Sequence, residues 1–93
     1  MKNNKKHLVM VESGLCFVGN LQSIECEFLK QKSLMITNCK NIRVWGTTKG
    51  FGQLAINGRQ PDTKLDECPP ITVPNNKILV IYEVLDEVTN SFD

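Results

Sequence analysis

The sequence has little of what enzymes and metal sites need. His7 is its one histidine, and no Cys-x-x-Cys pair occurs among Cys16, Cys26, Cys39 and Cys68. Nucleophilic catalysis needs a base held within reach of a hydroxyl or thiol, and a zinc site usually has closely spaced ligand pairs. Glu25 and Glu27 share a predicted strand face, where carboxylates are most often solvated. We therefore predict a non-enzymatic protein without metal or cofactor.

Long apolar runs are also absent. No run reaches the ~18 residues that a membrane-spanning helix requires. The basic start leads into an apolar run that Glu12 and Gly14 interrupt, which is unlike a secretory signal. These absences predict a cytoplasmic protein whose cysteines are reduced thiols in the core.

Excess charge of one sign is missing too, because the net charge is +1. This balance argues against bulk attraction to long nucleic acid or to a membrane. The charge is nevertheless uneven, since residues 1–59 are basic and residues 60–93 are acidic. Solvated surface, an anion site on the basic side and head-to-tail self-association all remain open as explanations.

The length of 93 residues predicts one domain, residues 1–93, in which residues 1–6 form a mobile basic tail. A chain of this size buries a small core. Self-association adds buried area, so we expect a homo-oligomer, most simply a symmetric dimer.

Short runs of β-forming residues predict most of the fold. The expected strands are His7–Glu12, Leu15–Val18, Gln22–Leu29, Leu34–Thr37, Ile42–Trp45, the edge strand Ile71–Pro74, and Ile78–Leu85. Gly19–Asn20 and residues 30–33 are expected turns, Asn38–Asn41 a turn or bulge, and Gln60–Pro70 a polar loop. In Gln22–Leu29 we expect Ile24, Cys26 and Phe28 to face inward. The apolar run Ile78–Leu85 predicts a strand buried on both faces, in the core or at a self-interface.

The fold class that follows is mainly β (α+β), a small antiparallel meander or partly closed barrel with one short helix after the central strand. The helix is expected over Phe51–Gly58, because Phe51, Leu54, Ala55 and Gly58 have helical spacing. Thr47 or Thr48 is expected to cap its start, and Asn57–Gly58 to end it.

Residues 42–59 contain the chain's one Trp and both of its arginines. Alternation places Arg43 and Trp45 on the same strand face, beside a loop in which Gly46, Gly50 and Gly52 let backbone amides approach a ligand. An aromatic ring, a guanidinium, hydroxyls and free amides suit a phosphate-bearing nucleotide. The candidate ligand-binding residues are Arg43, Trp45, Thr47, Thr48, Lys49, Gln53 and Arg59. The alternatives are that Trp45 is core, Arg43 an ion-pair partner and the glycines a tight turn, or that the surface binds protein.

Four segments together resemble a family of small uncharacterised phage and prophage proteins. They are Val44-Trp45-Gly46, Gln53–Gly58, Thr72-Val73-Pro74 and Ile78–Val84. The resemblance covers most of the chain and implies a phage setting in an infected bacterial host, but no particular activity.

By analogy, small non-enzymatic phage proteins with a ligand loop are often counter-defence factors. The expected function is therefore a sponge that sequesters a cyclic nucleotide immune signal without cleaving it. The alternative is a phage structural or protein-interaction module, either a virion component or an inhibitor of a host protein.

Overall fold

A computed structural model describes residues 5–93, in which one antiparallel sheet and a short helix form the fold. The strands are β1 (His7–Val11), β2 (Cys16–Cys26), β3 (Gln31–Val44), β4 (Lys64–Cys68), β5 (Ile71–Pro74) and β6 (Ile78–Glu83). Helix α1 (Gln53–Asn57) follows β3, and two 3₁₀ segments cover Asn75–Lys77 and Asp86–Phe92. The predicted mainly β fold, with one short helix after the central strand, is confirmed.

The strands follow the order β4-β3-β2-β1-β6, and β5 pairs with the other half of the long strand β3. Strands β1 to β4 form a meander, whereas β6 returns to the far side of β1. Among the described residues the sheet does not close into a barrel. Its edges are β6 on one side and β4 with β5 on the other.

Alternating side chains of the strands pack into two cores on opposite faces of the sheet. Leu8 and Val9 are adjacent in β1, are both fully buried, and belong to different cores. The helix-side core is formed by Leu8, Cys16, Val18, Ile42, Phe51, Leu54, Ala55, Val84 and Phe92. The far-side core is formed by Val9, Val11, Phe17, Ile36, Cys39 and Val73. Helix α1 and the C-terminal 3₁₀ segment therefore cover one face and fix the loop that precedes α1.

The expected turn at Gly19–Asn20 is wrong, because β2 runs through it. Val18 pairs with Lys40 and Asn20 with Thr37, so β3 holds one extra residue at this point. Asn38 occupies that bulge with a φ of 48°, a conformation that Asn tolerates better than most residues. The bulge expected within Asn38–Asn41 is thereby confirmed, and β3 continues on both sides of it.

The expected inward position of Phe28 is also wrong, since the side chain is 92% exposed. Residues 27–30 form the tip of the β2–β3 hairpin, where the Lys30 amide donates to the Cys26 carbonyl (2.8 Å) and Lys30 has a positive φ. The turn thus lies earlier than predicted, and strand alternation ends at Cys26.

Two expectations about the second half of the chain need correction. The polar segment Gln60–Pro70 contains strand β4, which pairs with the end of β3. The apolar strand β6 is not in the core of the single chain, because it lies at the edge of the sheet with several side chains exposed. The edge strand Ile71–Pro74 is confirmed as β5.

Residues 1–4 of the predicted mobile tail lie outside the described residues. The remainder of that tail is held by ion pairs, from Lys5 Nζ to Asp86 (3.1 Å) and from Lys6 Nζ to Asp93 (3.2 Å). No helix within residues 5–93 is both long and apolar enough to cross a membrane.

Candidate functional site

Arg43 is placed by a bulge at the end of β3. Ile42 pairs with Leu65 and Val44 with Lys64, so Arg43 is the extra residue between them. Its guanidinium donates from Nε to Asp66 Oδ2 (2.9 Å) and from Nη2 to Asp66 Oδ1 (3.3 Å). This hydrogen-bonded pair raises the pKa of Arg43. Arg43 is exposed but already forms an ion pair with Asp66, which agrees with the alternative that this arginine is an ion-pair partner.

Trp45 lies against the helix-side core. Its ring stacks on Phe51 with a centroid distance of 5.1 Å, and Phe51 belongs to the same core as Ile42. The bulge at Arg43 therefore interrupts the alternation that would put Arg43 and Trp45 on one face. The indole is 37% exposed, so it is neither sealed in the core nor free in solvent.

The turn after Trp45 is locked by the loop that precedes β4. Thr63 is buried, and its Oγ1 donates to the Trp45 carbonyl (2.7 Å) while accepting from the Gln60 amide (2.9 Å). Gly46 has a φ of 66°, and a Cβ there would collide with the backbone of Asp62 and Thr63. Only glycine satisfies both conditions, which explains its position directly after the strand.

Gln53 organises the glycine loop. Its Oε1 accepts from the amides of Thr48 (3.0 Å) and Lys49 (2.8 Å), so these amides are satisfied within the chain. The predicted threonine cap is wrong, because the N-cap of α1 is Gly52 and no side chain caps it. The expected stop is confirmed: Gly58 has a φ of 79°, and its amide donates to the Leu54 carbonyl (3.0 Å).

Arg59 lies beyond that stop, beside the C-terminal segment. Its amide donates to Ser91 Oγ (2.9 Å), and the same hydroxyl donates to the Val88 carbonyl (2.7 Å). The backbone at Arg59 is thus tied to the C-terminal 3₁₀ segment.

A cavity of about 650 Å³ opens between the glycine loop, α1 and the end of β6. Its residues are Lys49, Gly50, Phe51, Gly52, Gln53, Ala55, Ile56, Asn57, Tyr82 and Glu83. The Tyr82 ring meets the edge of Phe51 at a centroid distance of 5.7 Å and is 39% exposed. Small-molecule sites typically occupy 300–1,000 Å³ and combine apolar walls with a few polar groups, and this cavity fits that description.

A second cavity, of about 640 Å³, lies between β3, β4 and the C-terminal segment. It is more polar, but its cations already pair with neighbouring acids: Lys6 with Asp93 (3.2 Å) and Lys40 with Glu67 (3.5 Å). Its aromatic residue, Phe92, is buried. Because charge is internally compensated and no exposed ring is present there, we favour the cavity beside Tyr82 as the ligand site.

The structure brings together only part of the predicted site. Lys49 and Gln53 line the favoured cavity, and Trp45 supports its Phe51 wall from the stacked ring. The other four candidates, Arg43, Thr47, Thr48 and Arg59, are not among its lining residues. Sequence reasoning missed Tyr82, which it placed in the core or an interface, because the pairing of β6 with β1 is what carries this residue to the loop.

Cys39 and His7, which lie outside the cavity, also have shifted pKa values. Cys39 and Cys68 are direct cross-strand partners with their Sγ atoms 3.2 Å apart, and burial together with the Cys68 contact raises the pKa of Cys39 to about 12. Burial lowers the pKa of His7, against a smaller opposing effect of Glu83, and its buried Nδ1 has no hydrogen-bond partner among residues 5–93.

No family model, curated protein or solved structure matches the chain, so comparison with known proteins assigns it to no family. Within residues 5–93 no three His, Cys, Asp or Glu side chains gather in a way that would hold a metal ion.

Proposed function

We propose that this protein binds a small phosphate-bearing nucleotide without cleaving it, in the cavity between the glycine loop, α1 and Tyr82. The observation that carries the proposal is the convergence there of a partly exposed aromatic ring, a lysine and two side-chain amides around about 650 Å³. A nucleotide needs a ring to stack on, a cation for its phosphate and amides for its base or sugar.

Each lining group has a role in this proposal. Tyr82 offers the stacking ring, because it lines the cavity and remains partly exposed. Lys49 supplies the positive charge, and Gln53 keeps its Nε2 donor while Oε1 holds the loop. Glu83 repels phosphate, so we place the sugar hydroxyls or the base amino group beside it.

In the phage setting that the family resemblance implies, such binding would sequester a cyclic nucleotide immune signal of the infected host. Sequestration requires affinity and intact release, not catalysis. The described cavity offers one carboxylate, Glu83, and no histidine or cysteine. This composition suits binding better than acid–base chemistry.

Isothermal titration calorimetry against a panel of cyclic di- and trinucleotides tests the proposal. We expect at least one ligand to bind with a Kd below about 50 μM. Tyr82→Ala should weaken that binding about tenfold or more, because stacking is worth about 1–3 kcal/mol per base. Lys49→Ala should weaken it by a similar factor, because a hydrogen bond to a charged group is worth about 1.5–3 kcal/mol. Ligand released by heat should be intact; a cleaved product would indicate an enzyme instead.

Lys40→Ala is the matched control, since this lysine lines the other cavity. It should leave affinity unchanged. Absence of binding by every panel member would remove the proposal, and loss of binding in Lys40→Ala alone would move the ligand to the second cavity.

A protein-interaction module is the second candidate, and the exposed apolar side chains of β6 favour it. Leu79 is 60% exposed and Ile81 44% exposed. One other protein, recovered in stoichiometric amount with the purified chain and without a nucleotide, would support this candidate over the first.

A further inference from the structure

Two of the four cysteines face each other across neighbouring strands. Cys39 of β3 is the direct partner of Cys68 in β4, and their Sγ atoms are 3.2 Å apart. The other two cysteines have different partners, since Cys26 lies opposite Gln31 and Cys16 opposite Met10. All four thiols are free in the described chain, so Cys39 and Cys68 are a reduced pair in contact.

The strand geometry at this pair suits a disulfide. The ladder from Cys39 and Cys68 to Ile42 and Leu65 runs without a bulge, so the two cysteines are directly opposed and share a face. Directly opposed residues of antiparallel strands have Cα atoms about 4.5–5.5 Å apart. Disulfides join residues whose Cα atoms are about 4.4–6.8 Å apart, so the two sulfurs can bond while the strands keep their register.

The two thiols differ in their access to a reagent. Cys39 is 3% exposed in the far-side core, whereas Cys68 is half-buried at the end of the edge strand β4. Both line the polar cavity of about 640 Å³ described above. Burial, together with the contact to Cys68, raises the pKa of Cys39 to about 12, which keeps Cys39 protonated. A small molecule that enters this cavity therefore reacts first with Cys68.

We infer that Cys39 and Cys68 form a reversible oxidation site, at which a small disulfide such as oxidised glutathione produces a cross-strand disulfide. The inference does not depend on the nucleotide proposal. The Cys68 thiolate attacks one sulfur of the reagent, forms a mixed disulfide and releases one small thiolate. Cys39 then attacks the Cys68 sulfur and releases the second small thiolate. The two thiol protons of the protein pass to the leaving groups, so one small disulfide becomes two small thiols.

The first step prepares Cys39 for the second. Three causes raise the pKa of Cys39: burial, the hydrogen bond with Cys68 and the charge of the Cys68 thiolate. A mixed disulfide at Cys68 removes the hydrogen-bonded thiol and its charge. Burial alone then opposes ionisation of Cys39, while the sulfur that it attacks remains its cross-strand neighbour.

The disulfide closes the segment that contains the glycine loop and α1. Cys39 and Cys68 are 29 residues apart, and the loop residues 49–53 and helix α1 lie between them. Thr63, which holds the Trp45 carbonyl, lies in the same segment. A cross-link over this length restricts the unfolded chain, so oxidation should raise the Tm by about 10 °C or more.

Peptide mapping by mass spectrometry, after incubation of the full chain with excess oxidised glutathione, tests the inference. We expect a bridge between Cys39 and Cys68, together with the higher Tm. Dithiothreitol should return both thiols and the original Tm. A bridge from either residue to Cys16 or Cys26, or no bridge at all, would overturn the inference. An unchanged or lower Tm in the bridged chain would show that the native sheet does not accommodate the disulfide.

Single serine variants test the order of the two steps. Cys39→Ser should stop the reaction at a glutathione adduct on Cys68, and Cys68→Ser should form no bridge. Because Cys68 is the less buried residue, Cys68→Ser keeps the test valid if Cys39→Ser does not fold. Cys26→Ser is the matched control, since Cys26 is also half-buried but lies opposite Gln31, and it should form the bridge as the unmodified sequence does. Loss of the bridge in Cys26→Ser, or no adduct on Cys68 in folded Cys39→Ser, would contradict the inference.

Discussion

Gly46 and Gly50 allow the account of the ligand loop to be tested with one pair of substitutions. Both glycines have positive φ, 66° for Gly46 and 89° for Gly50. A Cβ at Gly46 meets the backbone of Asp62 and Thr63, whereas a Cβ at Gly50 meets nothing within 4 Å. Alanine therefore brings the same conformational strain at both positions but a steric collision at only one.

The expected losses of stability follow from the conformational strain and the steric collision. Positive φ costs a non-glycine residue about 1–2 kcal/mol, so Gly50→Ala should lose about that much free energy of unfolding. Gly46→Ala should lose about 2–5 kcal/mol, because overpacking against a backbone that cannot rotate away adds about 1–3 kcal/mol. A 93-residue domain has a total stability of roughly 5–14 kcal/mol, so Gly46→Ala removes a large share.

Urea unfolding of both variants, with linear extrapolation to water, measures the difference. Similar m-values would show that the two variants unfold from the same kind of native state. Equal losses in Gly46→Ala and Gly50→Ala would refute the reasoning, because the packing of Gly46 against Asp62 and Thr63 would then not hold in solution.

Three further predictions concern the core and its titrating groups. Leu54→Ala should cost about 2–5 kcal/mol of unfolding free energy, because Leu54 is fully buried. Ile56→Ala, on the exposed side of the same helix, should cost less than about 0.5 kcal/mol. Equal costs for the two variants would contradict the placement of α1. Cys39 should resist alkylation at about pH 8 in the folded chain, because its pKa is raised to about 12. Mass spectrometry of labelled peptides measures this resistance. Rapid labelling of Cys39 would show that the thiol is not buried in solution. The pKa of His7 is lowered in the folded chain, so the unfolded chain binds a proton first and stability should fall as pH drops below about 6.5. In His7→Phe, the unfolding free energy should depend less on pH when measured by chemical unfolding. An unchanged pH dependence would exclude His7 as the cause of the fall in stability.

Local patterns predicted the elements whose signals are local. Helix α1 ends at Gly58 because glycine adopts the positive φ that the stop requires, and β5 lies at an edge because Pro74 cannot donate to a ladder. Asn38 marked the bulge in β3 for the same kind of reason. These features depend on one or two residues and their backbone preferences.

The errors arose where the outcome depends on partners distant in sequence. Gly19 looked like a turn, but pairing with β3 carries β2 through it. The apolar run of β6 indicated burial, yet alternation and hydropathy do not reveal strand order, and order places it at an edge. β4 was missed because its residues are polar and prolines flank it, although β3 supplies its partner strand.

The candidate site shows the same difference between residues placed by local sequence signals and residues placed by distant partners. Lys49 and Gln53 both line the cavity, because the glycine loop that brings them together is a sequence-local feature. Arg43 was expected to point at a ligand, but the bulge and Asp66 hold it elsewhere. Tyr82 enters the cavity only through the pairing of β6 with β1, which no short motif encodes.

The most direct test of the central claim is chemical-shift mapping of the ¹⁵N-labelled protein during titration with the tightest cyclic nucleotide from the calorimetric panel. The account predicts saturable shifts concentrated at residues 49–57 and at Tyr82 and Glu83, with little change around Cys39 and Cys68. Shifts confined to the cavity beside Lys40, or no saturable shifts in any residue, would contradict it.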